Sequence, residues 1–329
     1  MTLAPKPAIS DLLASARVLS VPMRVKFRGV THREVVLFEG SHGWAEWSPF
    51  LEYEDEEAAT WLRAALEFGW SATEPLNAST VFINATLAAV PAANVEEQLA
   101  AFGKFRTVKI KVAEPDQTIE DDLARIRKVH ELFPSVAIRL DANGGFDVET
   151  AIELAKELSI ESIDLQYFEQ PVKTIAELAE VRLKLARIGV KVVADESVRK
   201  VSDPLAVAHA NAADVLVIKA QPLGGIRSAH AITREANLPV TVSSALETSV
   251  GISMGLHLAA SLDVESFDAG LGTVALLADD VCDDPFIARD SKLDVKRAVP
   301  SEAKLAKLSA DSERVDWWRA RLERCYDLI

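Results

Sequence analysis

The sequence predicts a closed α/β barrel preceded by a smaller α+β domain, and three observations predict it. From about residue 80 onward, short β-branched runs alternate with amphipathic helical stretches. Five of those runs end in a charged residue, Lys111, Asp141, Glu169, Asp195 and Lys219, with gaps of 30, 28, 26 and 24 residues. Each gap is the length of one strand-plus-helix unit. Before residue 80 the order is different, with strand-like segments first and one helix after them. Charges repeated at the C-terminal tips of consecutive parallel strands stand where such a barrel builds its active site.

Residues 1–79 form the expected α+β capping domain. Segments 23–27 and 34–38 read as strands flanking Arg28-Gly-Val-Thr-His32, and Gly40-Ser-His-Gly43 reads as a turn before Trp44-Ala-Glu-Trp47. Trp44, Trp47 and Phe50 either line a pocket or pack, and packing is the expectation. Residues 54–70 are helical: Glu54, Asp55, Glu56 and Glu57 suit the positive end of the helix dipole, and Trp61, Leu62 and Leu66 make an apolar face. Residues 80–275 are assigned to a modified (β/α)7β barrel of the TIM type. Its strands are read at 80–84, 107–112, 137–141, 163–169, 192–195, 215–219, 240–243 and 264–268. Helices are read at 95–102, 118–133, 148–158, 175–187, 203–211, 226–236 and 246–260. The remainder, 276–329, ends in a helix over 311–328 whose Trp317, Trp318 and Leu322 are expected to dock on the cap or barrel.

The chain has 329 residues, 49% of them hydrophobic and 26% charged, a globular composition long enough for a barrel with an added domain. A net charge of −14 argues against nucleic-acid and anionic-membrane partners. Cys282 and Cys325 are the only cysteines, which leaves no disulfide framework and no CxxC metal site. No apolar run approaches membrane-spanning length, and Asp11 interrupts the apolar stretch near the N-terminus. The expectation is a cytoplasmic enzyme, monomeric or homo-oligomeric, acting on a small molecule.

The chemistry starts at Thr107-Val108-Lys109-Ile110-Lys111-Val112. Two lysines spaced by two leave the same face of a strand, while Val108, Ile110 and Val112 take the other. The bland alternative is an edge strand with solvated lysines. Downstream, Asp141, Glu169 and Asp195 stand on three consecutive strands about 4.8 Å apart, so their carboxylates can converge. Three such charges repel unless a cation joins them, and an all-oxygen set suits Mg²⁺, with Mn²⁺ a substitute. Taken singly, each carboxylate has the alternative of capping a helix or facing solvent. Lys219, on the sixth strand, lies across a closed barrel from Lys109 and Lys111. A lysine acting as base near neutral pH must have its pKa brought from about 10.4 to roughly 7–8, a difference of about 3–4 kcal/mol. A neighbouring lysine, desolvation and a metal all push that way.

Other features carry less. Asp141-Ala-Asn143-Gly-Gly-Phe-Asp147 fails as a calcium loop because Phe146 stands where glycine is required. Arg139 shares a face with Asp141, and a buried ion pair is expected for it. Gly224-Gly225 precedes a helix and either presents N–H groups to an anion, with Gly225 at the substrate, or turns the chain. Ser243-Ser244 either bonds substrate or caps a helix. HExxH, P-loop and GxGxxG motifs are absent.

With these residues set out, the chain resembles the enolase superfamily in its muconate-lactonising subgroup. The likeness rests on Lys109-Ile-Lys111, Asp141-Ala-Asn143, Glu169-Gln-Pro171, Asp195-Glu-Ser197 and Lys219 before Gly224-Gly225. It extends to the cap, where Gly43-Trp-Ala-Glu46 is similar to that family's Gly-Trp-Gly-Glu with alanine for the second glycine. Segments 27–33 and 243–249 are most similar to the o-succinylbenzoate synthase family of menaquinone biosynthesis. The resemblance implies removal of a proton α to a carboxylate and stabilisation of an enediolate by Mg²⁺. Lys111 is then the base, Lys109 adjusts its pKa, Lys219 stabilises the enediolate, and Asp141, Glu169 and Asp195 are metal ligands. Asn143 and Glu196 would support the ligands from behind. N-acylamino acid racemases and dipeptide epimerases of the same superfamily are the alternative. The epimerases' Asp-x-Asp near the eighth strand is missing from Val264-Glu-Ser-Phe-Asp-Ala-Gly270. Lys219 stands where a mandelate-racemase-like enzyme would have histidine. A Schiff-base aldolase and a non-catalytic scaffold barrel are the readings from further afield.

Overall fold

A computed structural model describes residues 6–27, 29–198, 203–262 and 267–329. The chain opens with a short helix, α1 (Ile9–Ser15), and then the antiparallel strands β1 (Arg17–Phe27), β2 (Val30–Gly40) and β3 (Gly43–Trp47), which form one sheet in that order. Helix α2 (Asp55–Trp70) packs across β3. The approach is close because Gly40 and Gly69 meet backbone to backbone: a Cβ on Gly40 would lie 2.1 Å from the Gly69 carbonyl oxygen. Trp47 is buried against Trp318, with ring centroids 5.2 Å apart, so packing is its role.

Strand β4 (Thr80–Phe82) precedes β5 (Ala85–Leu87), α3 (Val95–Ala100), β6 (Thr107–Lys111), α4 (Ile119–Leu132) and β7 (Ala137–Asp141). The alternation continues through α5 (Val148–Ile160), β8 (Leu165–Glu169), α6 (Ile175–Leu185), β9 (Val192–Ala194), α7 (Asp203–His209), β10 (Val215–Ile218), α8 (Ile226–Ala236), β11 (Val240–Val242) and α9 (Ser249–Ser261). Strands β5 to β11 pair in parallel and in sequence order. Closure comes from two parallel bridges, Ile83 to Ala269 and Ser243 to Gly270, which complete the (β/α)7β barrel. Local chemistry fixes the helix starts: Thr118 with Asp121, and Thr174 with Glu177, form reciprocal capping boxes on α4 and α6, and Asp147 caps α5. Helix α9 is buried along its whole length, with Ser249, Ser253, His257 and Ser261 recurring every four residues on one face.

The sequence expectation misplaces the first barrel strand. Thr80–Phe82 pairs antiparallel with β12 (Lys292–Asp294), and the barrel strand proper is Ala85–Leu87. The burial pattern explains the difference, since β4 has one face in solvent whereas β5 is buried throughout. Of the expected strand 264–268, residues 264–266 lie outside the described residues, as does Arg28 of segment 27–33. Helix α10 (Glu302–Lys307) leads to α11 (Ser312–Asp327), which packs on α2 and β1. Among the described residues no helix is long and apolar enough to cross a membrane.

Candidate active site

Strand register brings the charged residues to one level. Lys111 pairs with Asp141 across β6 and β7, and Asp141 with Glu169 across β7 and β8. Asp195 follows β9 directly and Lys219 follows β10. All five side chains are nearly inaccessible, Glu169 completely so. Lys109 Nζ lies 2.5 Å from Glu169 Oε1 and 3.3 Å from Asp141 Oδ2, bridging two carboxylates. Lys111 Nζ is 3.6 Å from Asp141 Oδ2. Lys219 Nζ donates to both oxygens of Asp195, at 2.5 and 2.6 Å. The two outer carboxylates thus each hold one of the lysines expected to work on substrate.

The charges set one another. Burial pushes Asp141 up, but Lys109, Lys111 and Lys219 outweigh it and hold the carboxyl below its usual range. Glu169 is pushed up to about 7, by burial first and then by Asp141 and Asp195, against the pull of Lys109. Burial opposes the charge on Lys109, yet Asp141 and Glu169 raise its pKa well above the ordinary value. Lys109 therefore sits in the site as a paired cation, a different setting from bare repulsion of Lys111.

Asp141, Glu169 and Asp195 offer only hard oxygen donors, and Glu169 Oε2 is buried with no hydrogen-bond partner among the described residues. Those features fit a divalent cation such as Mg²⁺. As placed, with lysines drawn onto the carboxylates, no three acidic, histidine or cysteine side chains among the described residues form a ready cation cage. Asn143 lines the same cleft, its backbone N–H 3.3 Å from Asp141 Oδ1 and its amide donating to Glu196 Oε1 at 2.9 Å.

The cleft above is walled by Phe27 and Phe50 from the cap and by Thr86, Ser243, Leu246 and Thr273 from the barrel. The Phe27 ring stands 5.6 Å from Lys111 Nζ. Ser244 Oγ bonds the Gly270 carbonyl at 2.9 Å and Thr273 Oγ1 at 2.8 Å, so it braces the barrel closure. Thr86 and Thr273 escaped sequence reasoning: a lone threonine in a short apolar run gives no spacing signal, and only the register Thr86–Lys109 reveals the first.

Two expectations need correction. Gly225 does not face the cleft. Glu67 of α2 fills the α8 N-terminus, accepting from Ile226 N at 2.8 Å and Arg227 N at 3.2 Å, and a Cβ on Gly225 would meet that carboxylate at 2.8 Å. The anion expected there is a side chain of the cap. Arg139 takes neutral partners instead of a carboxylate: Asn84 Oδ1 at 2.9 Å, the Asp268 carbonyl at 2.6 Å and Gln166 Oε1 at 2.6 Å. It plugs the barrel below Lys109, its guanidinium 4.7 Å from the Tyr167 ring centroid.

Comparison with known proteins agrees with this architecture. Residues 91–299 match the family model described as enolase C-terminal domain-like, and residues 18–69 match the one described as enolase N-terminal domain-like. The o-succinylbenzoate synthase of Mycobacterium marinum is 46% identical over 326 residues, covering 99% of this chain and 98% of that protein. That of Mycolicibacterium smegmatis is 46% identical over 323 residues, covering 98% of each. Among solved structures, muconate lactonizing enzyme from Pseudomonas fluorescens, complexed with muconolactone, superposes with a TM-score of 0.75 at 19% identity, over 90% of this chain and 98% of that one.

Proposed function

We propose that this chain, which belongs to the enolase superfamily, is a carbon–oxygen lyase making o-succinylbenzoate by dehydration, a step of menaquinone biosynthesis. The observation that carries the reading is 46% identity to proteins of that activity over essentially the whole chain. The substrate is a hydroxylated cyclohexadiene carboxylate bearing a succinyl chain. Loss of the proton α to the ring carboxylate and of the neighbouring hydroxyl, together one water, leaves an aromatic ring.

In this reading Asp141, Glu169 and Asp195 would hold Mg²⁺, with Asn143 and Glu196 fixing their orientation. Bound there, Mg²⁺ supplies Lewis-acid stabilisation of the charge that develops on the substrate carboxylate. Lys111 takes the α-proton and returns it to the departing hydroxyl. It is the lysine whose Nζ is buried without a hydrogen-bond partner among the described residues, so it does not have to give up a hydrogen bond to them before it acts. Lys219 stays cationic and steadies the enediolate. Lys109 keeps Asp141 and Glu169 in register. Phe27 and Phe50 exclude water. We place the enzyme in the cytoplasm, with Mn²⁺ able to replace Mg²⁺. The test is direct: incubate the Mg²⁺-loaded protein with the cyclohexadiene substrate and follow formation of the aromatic product, with N-succinylamino acid racemisation assayed in parallel. Racemisation without dehydration would reverse the assignment.

A further inference from the structure

A buried polar junction joins the cap to the loops carrying Lys219 and Leu246. Gln221, two residues beyond Lys219, is 1% exposed, and both ends of its carboxamide are engaged. Its Oε1 accepts from Ser48 N at 3.1 Å, while its Nε2 donates to Ser48 Oγ at 3.2 Å and to Glu247 Oε1 at 3.3 Å. Ser48 is held again by Arg33, whose Nη2 donates to its carbonyl, and its Oγ donates to Glu46 Oε1 at 2.7 Å. Two residues past Ser48, the Phe50 ring forms the cap's wall of the cleft, with the Arg33 guanidinium 4.3 Å from its centroid. On the barrel side, Glu247 Oε2 accepts from Ala245 N at 2.5 Å, and Ala245 and Leu246 are again cleft wall. One carboxamide therefore ties together three segments that each contribute to the same cleft.

We propose that Gln221 is a positioning residue: it fixes the cap's Phe50 against the loops of Lys219 and Leu246, and so sets how tightly the pocket grips the substrate's succinyl-bearing body. The proposal rests on the dehydratase reading for the substrate's identity but not for the geometry. A well-satisfied buried network favours one arrangement over near neighbours more than it adds stability. Loosening it should weaken substrate binding while leaving the metal carboxylates and Lys111 in place.

The experiment compares Gln221→Ala and Ser48→Ala with wild type in the Mg²⁺-loaded enzyme. Gln221→Ala should raise KM about tenfold or more with kcat within about threefold, leave Mn²⁺ affinity within about twofold, and speed amide exchange in residues 48–53. Ser48→Ala should raise KM in the same sense, and the double variant should fall short of the product of the two single effects. Unchanged KM in Gln221→Ala overturns the proposal, as does a loss confined to melting temperature or full multiplicativity in the double variant. If Gln221→Ala fails to fold, Gln221→Asn, which withdraws the amide by one methylene, is held to the same criteria. A wild-type protein inactive on the substrate would defeat the dehydratase reading. The exchange measurement needs no substrate and still decides the role of Gln221.

Discussion

Lys111 and Lys219 are the same residue type, but one stands 3.6 Å from its carboxylate and the other donates two short hydrogen bonds. Dehydration from a single face needs one proton-transferring group, whereas racemisation needs one on each face. Lys111→Ala should therefore lose dehydration by about three orders of magnitude while still binding Mn²⁺. Lys219→Arg, which keeps charge but does not release a proton, should retain measurable dehydration and lose racemisation. Both activities, measured for each variant beside metal affinity, decide the matter; racemisation surviving in Lys219→Arg would show that the second face does not need that lysine. Removing the metal with EDTA should abolish turnover and Mg²⁺ should restore it. Asp195→Asn should weaken Mn²⁺ binding by about tenfold or more. Asp147→Asn should not, because that carboxylate caps α5 and its loss costs stability of about 1 kcal/mol or less. The lysines and carboxylates were legible because strand tips repeat at a regular interval. Gly225 was not, because the residue that fills its helix terminus, Glu67, lies 158 positions earlier and only tertiary packing brings it there.

Helix α9 shows how a fully buried helix is anchored. Its N-terminal N–H groups are taken by two distant carboxylates: Glu46 of β3 accepts from Thr248 N and Gly251 N, both at 3.1 Å, and Asp280 accepts from Ser249 N at 3.0 Å. Complete burial, reinforced by Glu247, pushes Glu46 up to about 7 despite its bonds to Thr248 and Ser48. A carboxyl whose folded pKa is raised binds its proton more tightly in the folded state. Its contribution to stability is full below about pH 4.5, declines as pH rises, and is lost above about pH 7. Glu46→Gln can keep the acceptor toward Thr248 and Gly251 and turn its amide to Ser48. Its melting temperature relative to wild type should therefore climb between about pH 5 and about pH 8, by the equivalent of a few kcal/mol at most. A difference that is flat or falls with pH would show that charge at Glu46 carries no penalty. The helix itself was legible as an apolar run, but its start was read at residue 246 instead of Ser249, because Thr248 acts as N-cap only once Leu246 turns through φ +63°. The first barrel strand was read five residues early for a related reason. Thr80–Phe82 and Ala85–Leu87 are both β-like, and what separates them is a partner, Lys292–Asp294, more than two hundred residues away.

At the scale of the whole molecule the chain closes on itself, since its C-terminal helix braces the cap that covers the site. Glu34 of β2 accepts from Arg314 Nε and Nη2 and from Trp318 Nε1 at 2.6 Å, fixing α11 to the first sheet. Further along the helix, Arg321 is 2% exposed and donates to the carbonyls of Phe50 and Tyr53. Those two rings stack edge to face on each other and on Trp61, so the backbone that Arg321 holds is the backbone behind the cleft wall. A residue in the last turns of the chain is thereby connected to the pocket without touching it. Arg321→Met keeps much of the buried volume but gives up the hydrogen bonds to both carbonyls and the ion pair to Asp55 at 3.5 Å, at a cost of about 2–4 kcal/mol. The variant should melt several degrees lower and, at temperatures where it is still folded, should show a raised KM with Mn²⁺ affinity unchanged. Arg321→Lys, which retains the charge but cannot span both carbonyls with one fork, should fall between the two. Thermal melts, KM and Mn²⁺ titration on the three proteins give the answer. If melting temperature drops in both variants while KM stays at the wild-type value, α11 stabilises the cap without shaping the pocket, and the coupling between chain end and active site is absent.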